Sequence, residues 1–147
     1  PERAGLEALR DRLGLAEVDF VGRKSSQDVI AALRRSDVYF STTMKEGGTW
    51  AFFEAIACHL PIVCLKVNGP DMIVGDGCGI KVAPTSHGEA SAGLANGLLT
   101  LAKEREVRVA YAARAQAYVE QTYTWDLVAK RVDAAYAEIL RQRERQA

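Results

Sequence analysis

The amino-acid sequence predicts an α/β fold, a parallel sheet wound on both faces by helices. Segments with strand and helix patterns alternate through the first half of the chain. The connections between the strand segments are too long for hairpins, so crossovers must join parallel strands. The segment 62–67 is apolar at its start, which is typical of a strand buried on both faces. Because such crossovers are right-handed, these features favour a doubly wound sheet.

The elements of the first half follow from local patterns. Strand patterns occupy 18–22, 38–40, 62–67 and 79–82. Helical spacing of apolar residues occupies 2–13, 25–33, 49–59 and a short stretch at 71–74. Gly14 is a natural stop for the first helix, and Ser25 with Asp28 resembles a capping box. We expect a turn at 68–70, and at His59 a helix end in the left-handed conformation.

The second half is helical from Gly88 onward, with three successive apolar stripes. A chain of 147 residues is the length of one domain, so we assign 1–147 to a single domain. Doubly wound units usually begin with a strand, whereas this chain begins with a helix. We therefore expect one or two strands to be missing upstream.

Composition excludes several classes of protein. Apolar residues make up 48% and charged residues 26%, the mixture of a globular domain. Nineteen basic residues balance nineteen acidic ones. Domains that hold nucleic acid by bulk electrostatics usually carry a basic excess, so we expect no nucleic-acid partner.

The cysteines and the apolar runs indicate the compartment. Three cysteines cannot all pair within the chain, and their spacing matches no metal or redox motif. The most apolar stretch, 50–67, is interrupted by polar residues and proline, so it does not predict a membrane span. We expect a reducing, cytoplasmic location.

One loop carries the chemistry, because it leaves a strand and enters a helix whose first N–H groups lack partners. Gly47 and Gly48 let a ligand approach the backbone, and a phosphate suits the positive end of the helix dipole. Glu54, just over one turn into the helix, suits a group with adjacent hydroxyls. Glu46 could bind hydroxyls on the other side of the phosphate. Two carboxylates that flank an anion site suggest a ligand built as sugar, diphosphate and ribose.

These residues belong to a longer pattern. Two glutamates with seven residues between them, then Ala-Ile-Ala-Cys and Pro-Ile-Val, resemble the donor-binding motif of family-four ("group 1") glycosyltransferases. The order of the other motifs also resembles that family: 18–22, 36–41, 68–71, 77–84 and 123–125. The resemblance implies the GT-B fold, in which two Rossmann-like domains face each other across a cleft. This chain resembles most of the C-terminal, donor-binding domain.

The resemblance also implies roles for single residues. Glu54 would bind the ribose hydroxyls, and Glu46, as the catalytic candidate, would lie near the transferred sugar. The sugar and diphosphate would contact the segment Gly47, Gly48, Thr49 and Trp50. The nucleobase would lie beside Arg23 and Lys24. Members of the family mostly transfer with retention and without a metal, so no cofactor is expected besides the nucleotide-sugar substrate.

Several departures from the family pattern bear on activity. Thr49 stands where the family often has glycine, so the sugar pocket can differ, and His59 stands where the family usually has glycine. The family's Arg and Lys that grip the diphosphate would precede Pro1. We therefore expect this chain alone to be inactive, and we expect an N-terminal domain outside it to hold the glycan or lipid-linked acceptor. The last helix is rich in basic residues, so we expect that the full protein can associate peripherally with the inner membrane.

Two other functions remain open from the residues. A GT-B nucleotide-sugar epimerase would need titratable acid/base groups in the cleft, and neither of the two histidines has a suggestive context. A non-catalytic doubly wound module that binds a partner protein would tolerate changes at Glu46 and Glu54.

Overall fold

The computed structural model describes residues 2–45 and 50–145, and an α/β fold covers them. The helices in this part of the chain are α1 Arg3–Arg12, α2 Ser26–Leu33, α3 Trp50–Ala57, α4 Asn68–Ile73, α5 His87–Lys103, α6 Arg105–Thr122 and α7 Trp125–Glu144. The strands are β1 Tyr39–Ser41, β2 Ile62–Leu65 and β3 Gly79–Val82. Apart from differences at their ends, these strands match three of the predicted strand segments.

The strands form a parallel sheet in the order β1-β2-β3. Tyr39 lies opposite Ile62, and Ile62 lies opposite Gly79 on the other side of the central strand. Every residue of β2 is buried. The apolar start of this segment indicated such a strand.

Helices cover both faces of the sheet, as predicted. Successive β2 side chains point to opposite faces. Ile62 and Cys64 pack into a core with residues of α3, α4 and α6. Val63 and Leu65 pack into a second core with α5 and with partly buried residues of α6. This two-sided core confirms the doubly wound fold with a helical C-terminal part.

Local signals set several boundaries correctly. The side chain of Ser25 accepts a hydrogen bond from the Asp28 N–H at 3.2 Å, which confirms the predicted capping box. Gly14 has a φ of 66° just after α1, and His59 has a φ of 59° just after α3. Both residues therefore end helices in the left-handed conformation.

The strand predicted at 18–22 is wrong. No ladder includes it within the described residues, and carbonyls of this segment accept hydrogen bonds from arginines of α1 instead. Arg3 Nη2 donates to the Phe20 carbonyl at 2.8 Å, and Arg10 Nη1 donates to the Val18 carbonyl at 3.4 Å. A strand requires a neighbouring strand as well as an apolar pattern, and here arginine side chains take the place of that neighbour.

The turn predicted at 68–70 is also wrong, because these residues begin α4. Pro70 falls within the first turn of that helix, where a backbone N–H has no intrahelical partner. Proline therefore does not prevent a helix at this point. Gly69, Pro70 and Ile73 are the buried residues of α4.

Candidate functional site

The carboxyl ends of the three parallel strands lie at one edge of the sheet. β1 ends at Ser41, β2 at Leu65 and β3 at Val82, and the chain then continues toward α3, α4 and α5. In doubly wound folds, ligands bind beyond this edge. The loop that the sequence predicts to bind a phosphate follows β1.

The loop after β1 begins with a turn held by a buried serine. Ser41 Oγ lies 3.3 Å from Thr43 Oγ1 and accepts a hydrogen bond from the Thr43 N–H at 3.4 Å. Such side-chain bonds to the backbone two residues on are typical of turns. The predicted site residues Glu46, Gly47, Gly48 and Thr49 lie outside the described residues, and their roles stay predictions.

The next two candidates lie on α3. Trp50 is the first residue of this helix and is 68% exposed. Glu54 follows one helical turn later, so the two side chains share a side of the helix. The helix is anchored to the sheet by Phe52, Ala55 and Ile56, which are buried.

The carboxylate of Glu54 is free to accept hydrogen bonds. Glu54 is half-buried. Within residues 2–45 and 50–145 its side chain makes no hydrogen bond or ion pair. A carboxylate without a partner can accept hydrogen bonds from two adjacent hydroxyls.

Arg23 and Lys24 lie on the exposed chain between Gly22 and α2. Lys24 lines a groove of about 640 Å³ formed by residues 21–22 and by α2 with the residues that follow it. Neither Glu54 nor any other residue of α3 lines that groove. The structure therefore does not bring Lys24 and Glu54 into one cavity.

A half-buried lysine of β3 fixes the segment that follows β2. Lys81 Nζ lies 2.6 Å from Asp71 Oδ1, donates to the Asp71 carbonyl at 3.2 Å and lies 2.9 Å from Asp76 Oδ1. The Lys81 side chain is only 10% exposed. Burial acts to lower the pKa of Lys81, but hydrogen bonds to the two carboxylates outweigh it and the pKa is raised. The hydrogen bond from Lys81 lowers the pKa of Asp76.

The start of α5 carries a capping box that the sequence analysis missed. Ser86 accepts a hydrogen bond from the Glu89 N–H at 3.2 Å. Hydrogen bonds from the hydroxyls of Thr85 and Ser86 lower the pKa of Glu89. The signal was a serine three residues before a glutamate. Between this helix start and the loop after β1 lies a cavity of about 350 Å³, lined among others by Thr42, Met44, Pro84, Ser86 and His87.

Residues 2–45 and 50–145 contain no group of three or more His, Cys, Asp or Glu side chains placed to hold a metal ion. Across the same residues, no helix has the length and apolar character that a membrane span requires.

The sequence as a whole matches one protein family. Residues 1–137 match the family model described as glycosyl transferases group 1. The chain belongs to this family. The resemblance drawn from the two glutamates and the order of the motifs is thereby confirmed.

One relative in sequence and two solved structures are similar to this chain. An uncharacterized glycosyltransferase of Methanocaldococcus jannaschii is 27% identical over 108 residues, which are 72% of this chain and 26% of that protein. Anabaena HepE in complex with UDP-glucose has a TM-score of 0.76 at 24% identity, covering 92% of this chain and 36% of that one. A TarM variant of S. aureus in complex with fondaparinux, α-GlcNAc-glycerol and UDP has a TM-score of 0.77 at 17% identity, covering 90% and 27%. The two structures show the GT-B-like fold, and this chain spans about a quarter to a third of each protein's length.

This group 1 glycosyltransferase chain also has an aromatic cluster that the sequence analysis missed. The ring centroids of Trp50 and Trp125 lie 6.0 Å apart, and Phe53 and Tyr123 meet edge to face at 5.5 Å. The motifs in the sequence place Trp50 in the donor loop and Tyr123 in the final motif, without any contact between them. The sequence carries no signal for this contact, because it depends on how α3 and α7 pack.

Proposed function

We propose that this chain is the nucleotide-diphosphate-sugar-binding domain of a glycosyltransferase that transfers a sugar, with retention, to a glycan or lipid-linked acceptor. The position and state of Glu54 carry the proposal. Its half-buried carboxylate has no side-chain partner among residues 2–45 and 50–145, and it lies one turn into α3, the helix that follows β1 of the parallel sheet. Family membership supports the same reaction class.

The donor would be contacted along its whole length. Glu54 accepts hydrogen bonds from the ribose hydroxyls. The backbone from Gly47 and Gly48 to Trp50 meets the diphosphate, where the positive end of the α3 dipole offsets the charge of the leaving group. Glu46 lies near the transferred sugar as the catalytic candidate, and Arg23 and Lys24 edge the nucleobase.

The wider function follows from the same proposal. The acceptor is held by an N-terminal domain outside this chain, and the chain alone does not catalyse transfer. No metal takes part. The full protein works in the cytoplasm, with peripheral attachment to the inner membrane.

Two structural relatives make UDP the first nucleotide to test. HepE was solved with UDP-glucose, and the TarM variant with UDP. Their identities of 24% and 17% support the fold, so the base and the sugar of this chain's donor require their own measurement.

A thermal-shift screen tests the proposal directly. The chain is melted with millimolar UDP, GDP, ADP, dTDP or CMP, since a ligand that binds only the native state raises its stability by RT ln(1 + [L]/Kd). We expect one nucleotide to raise the Tm of the wild type and not that of Glu54→Ala. Loss of a charge-assisted hydrogen bond costs about 1.5–3 kcal/mol, roughly a 10- to 100-fold loss of affinity.

The matched control is Glu106→Ala. Glu106 is an exposed carboxylate in the first turn of α6, a helix that follows none of the strands directly. This variant should keep the full nucleotide-dependent shift. An equal shift in the wild type and in Glu54→Ala would refute the role of Glu54. The absence of a shift with all five nucleotides, both in this chain and in the full protein, would contradict the proposed function.

A further inference from the structure

An apolar groove with two exposed tryptophans lies at the start of α3. We name it the aromatic groove. It has a volume of about 370 Å³ and is lined by Trp50, Phe53, Ala57, Val119, Tyr123, Trp125 and Val128. Small-molecule sites are typically apolar clefts of about 300–1,000 Å³. The aromatic groove therefore has the size and character of a site for a small molecule.

The floor of the aromatic groove is fixed and its rim is open. The Tyr123 hydroxyl donates to the Met72 carbonyl at 2.9 Å, and the Tyr123 ring packs edge to face on Phe53. At the rim, Trp50 is 68% exposed and Trp125 is 75% exposed. Their ring centroids lie 6.0 Å apart and their ring planes are tilted by 37°, so the two indoles contact each other at the rim.

The aromatic groove lies close to where the donor is proposed to bind. Trp50 directly follows residues 46–49 of the donor loop and begins α3, which leaves the carboxyl edge of the sheet. Trp125, the first residue of α7, lies at the same end of the molecule, because its ring centroid is 6.0 Å from that of Trp50. A ligand on the two indole rings would adjoin the donor.

The chemistry of the aromatic groove suits a pyranose ring. Indole rings are large, rigid surfaces with a polar edge, and a pyranose has an apolar C–H face and a rim of hydroxyls. The exposed side chain of Asp126, beside Trp125, makes no hydrogen bond or ion pair within the part of the chain that the structure describes, so its carboxylate can accept from sugar hydroxyls.

Size distinguishes a sugar from a protein partner. A stable protein interface uses about 20–30 residues on each side. The aromatic groove is lined by seven residues, four of them aromatic. This is the scale of one or two sugar rings.

We propose that the aromatic groove binds a pyranose ring of the glycan acceptor, stacked on Trp50 and Trp125. The proposal rests on the proposed function, because it takes the acceptor to be a glycan and the donor to lie at the adjoining loop. It extends acceptor recognition to the donor-binding domain itself.

Intrinsic fluorescence gives a specific test, because Trp50 and Trp125 are the only tryptophans of the chain. The chain is titrated with maltotriose, triacetylchitotriose, mannotriose and galactobiose, while tryptophan emission and acrylamide quenching are recorded. We expect at least one saccharide to shift the emission to the blue and to protect the tryptophans from acrylamide. Sorbitol, which has hydroxyls but no ring face, should do neither.

Variants separate stacking from structural effects. Trp125→Ala should weaken saccharide binding about tenfold, which corresponds to about 1.4 kcal/mol, and Trp125→Phe should recover part of the affinity. Tyr136→Ala removes another exposed aromatic of α7, 65% exposed and outside the aromatic groove, and should leave the affinity unchanged. Circular dichroism checks that each variant is folded.

Three results would overturn the proposal. The first is that none of the four saccharides changes the tryptophan fluorescence, and the second is that Trp125→Ala binds saccharide with unchanged affinity. The third is that protection of the tryptophans from acrylamide rises with protein concentration in the absence of sugar, which would identify a second copy of the chain as the occupant. UDP binding is measured on the same samples. If UDP binds and the saccharides do not, the groove proposal fails and the proposed function stands. If the saccharides bind and none of the five nucleotides of the thermal-shift screen binds to this chain or to the full protein, the groove is a saccharide site and the proposed function fails.

Discussion

Replacement of Leu101 by alanine should destabilise the chain strongly, because α5 seals one face of the sheet. Leu101 is 0% exposed and packs in a core with Val63, Leu65 and Leu94. Leu→Ala removes three buried carbon groups at about 0.8 kcal/mol each, or about 2.4 kcal/mol of transfer free energy. The remaining cavity raises the loss in the free energy of unfolding to about 3–4 kcal/mol. Urea unfolding followed by circular dichroism measures it.

Leu99→Ala is the matched control, since it makes the same change on the same helix. Leu99 is 52% exposed, so its replacement should cost about 1 kcal/mol or less. The Tm of Leu101→Ala should fall by roughly 10 °C, and that of Leu99→Ala by a few degrees at most. Equal losses in the two variants would refute the packing of α5 against the sheet through Leu101.

Two further predictions concern charge and thiol chemistry. The raised pKa of Lys81 stabilises the folded chain below the unfolded pKa of about 10.4, and this stability is lost as the pH rises through the folded pKa. The lowered pKa of Asp76 stabilises the folded chain above the unfolded pKa of about 3.9, and this stability is lost as the pH falls through the folded pKa. Lys81→Met should therefore make the urea midpoint depend less on pH at both acidic and alkaline pH. An unchanged pH dependence would contradict the ion pairs between Lys81 and the two aspartates. Burial raises the pKa of the Cys64 thiol to about 11, so at pH 8 iodoacetamide should label the half-buried Cys58 well before Cys64, as read from the modified peptides by mass spectrometry. Equal labelling rates in the folded chain would show that Cys64 is accessible and ionised.

The sequence predicted the parts of the fold that depend on local signals or on neighbours close along the chain. The three observed strands are neighbours in the sheet in the same order as along the chain, so their apolar patterns were sufficient to predict them. Ser25, Gly14 and His59 set helix ends through their own side chains or backbone conformations. The segment 18–22 has an equally good strand pattern, but its structure depends on a partner, and that is not a local property.

The candidate site divides in the same way. The placement of Glu54 just over one turn into α3 follows from spacing alone. The contact between Trp50 and Trp125 depends on how α3, α6 and α7 pack, and no periodicity encodes it. Lys81 was likewise part of a strand pattern, and only the packing of α4 against β2 brings Asp71 to it.

The most direct test of the central claim pairs a change in the protein with a change in the ligand. UDP and 2′,3′-dideoxy-UDP, or the corresponding pair for whichever nucleotide binds in the screen, are titrated calorimetrically into the wild type and into Glu54→Ala. If Glu54 accepts hydrogen bonds from the ribose hydroxyls, the wild type should prefer the complete ribose by roughly 10- to 100-fold, and Glu54→Ala should show almost no preference. A preference of the same size in both proteins would contradict the account, because the ribose would then be recognised elsewhere.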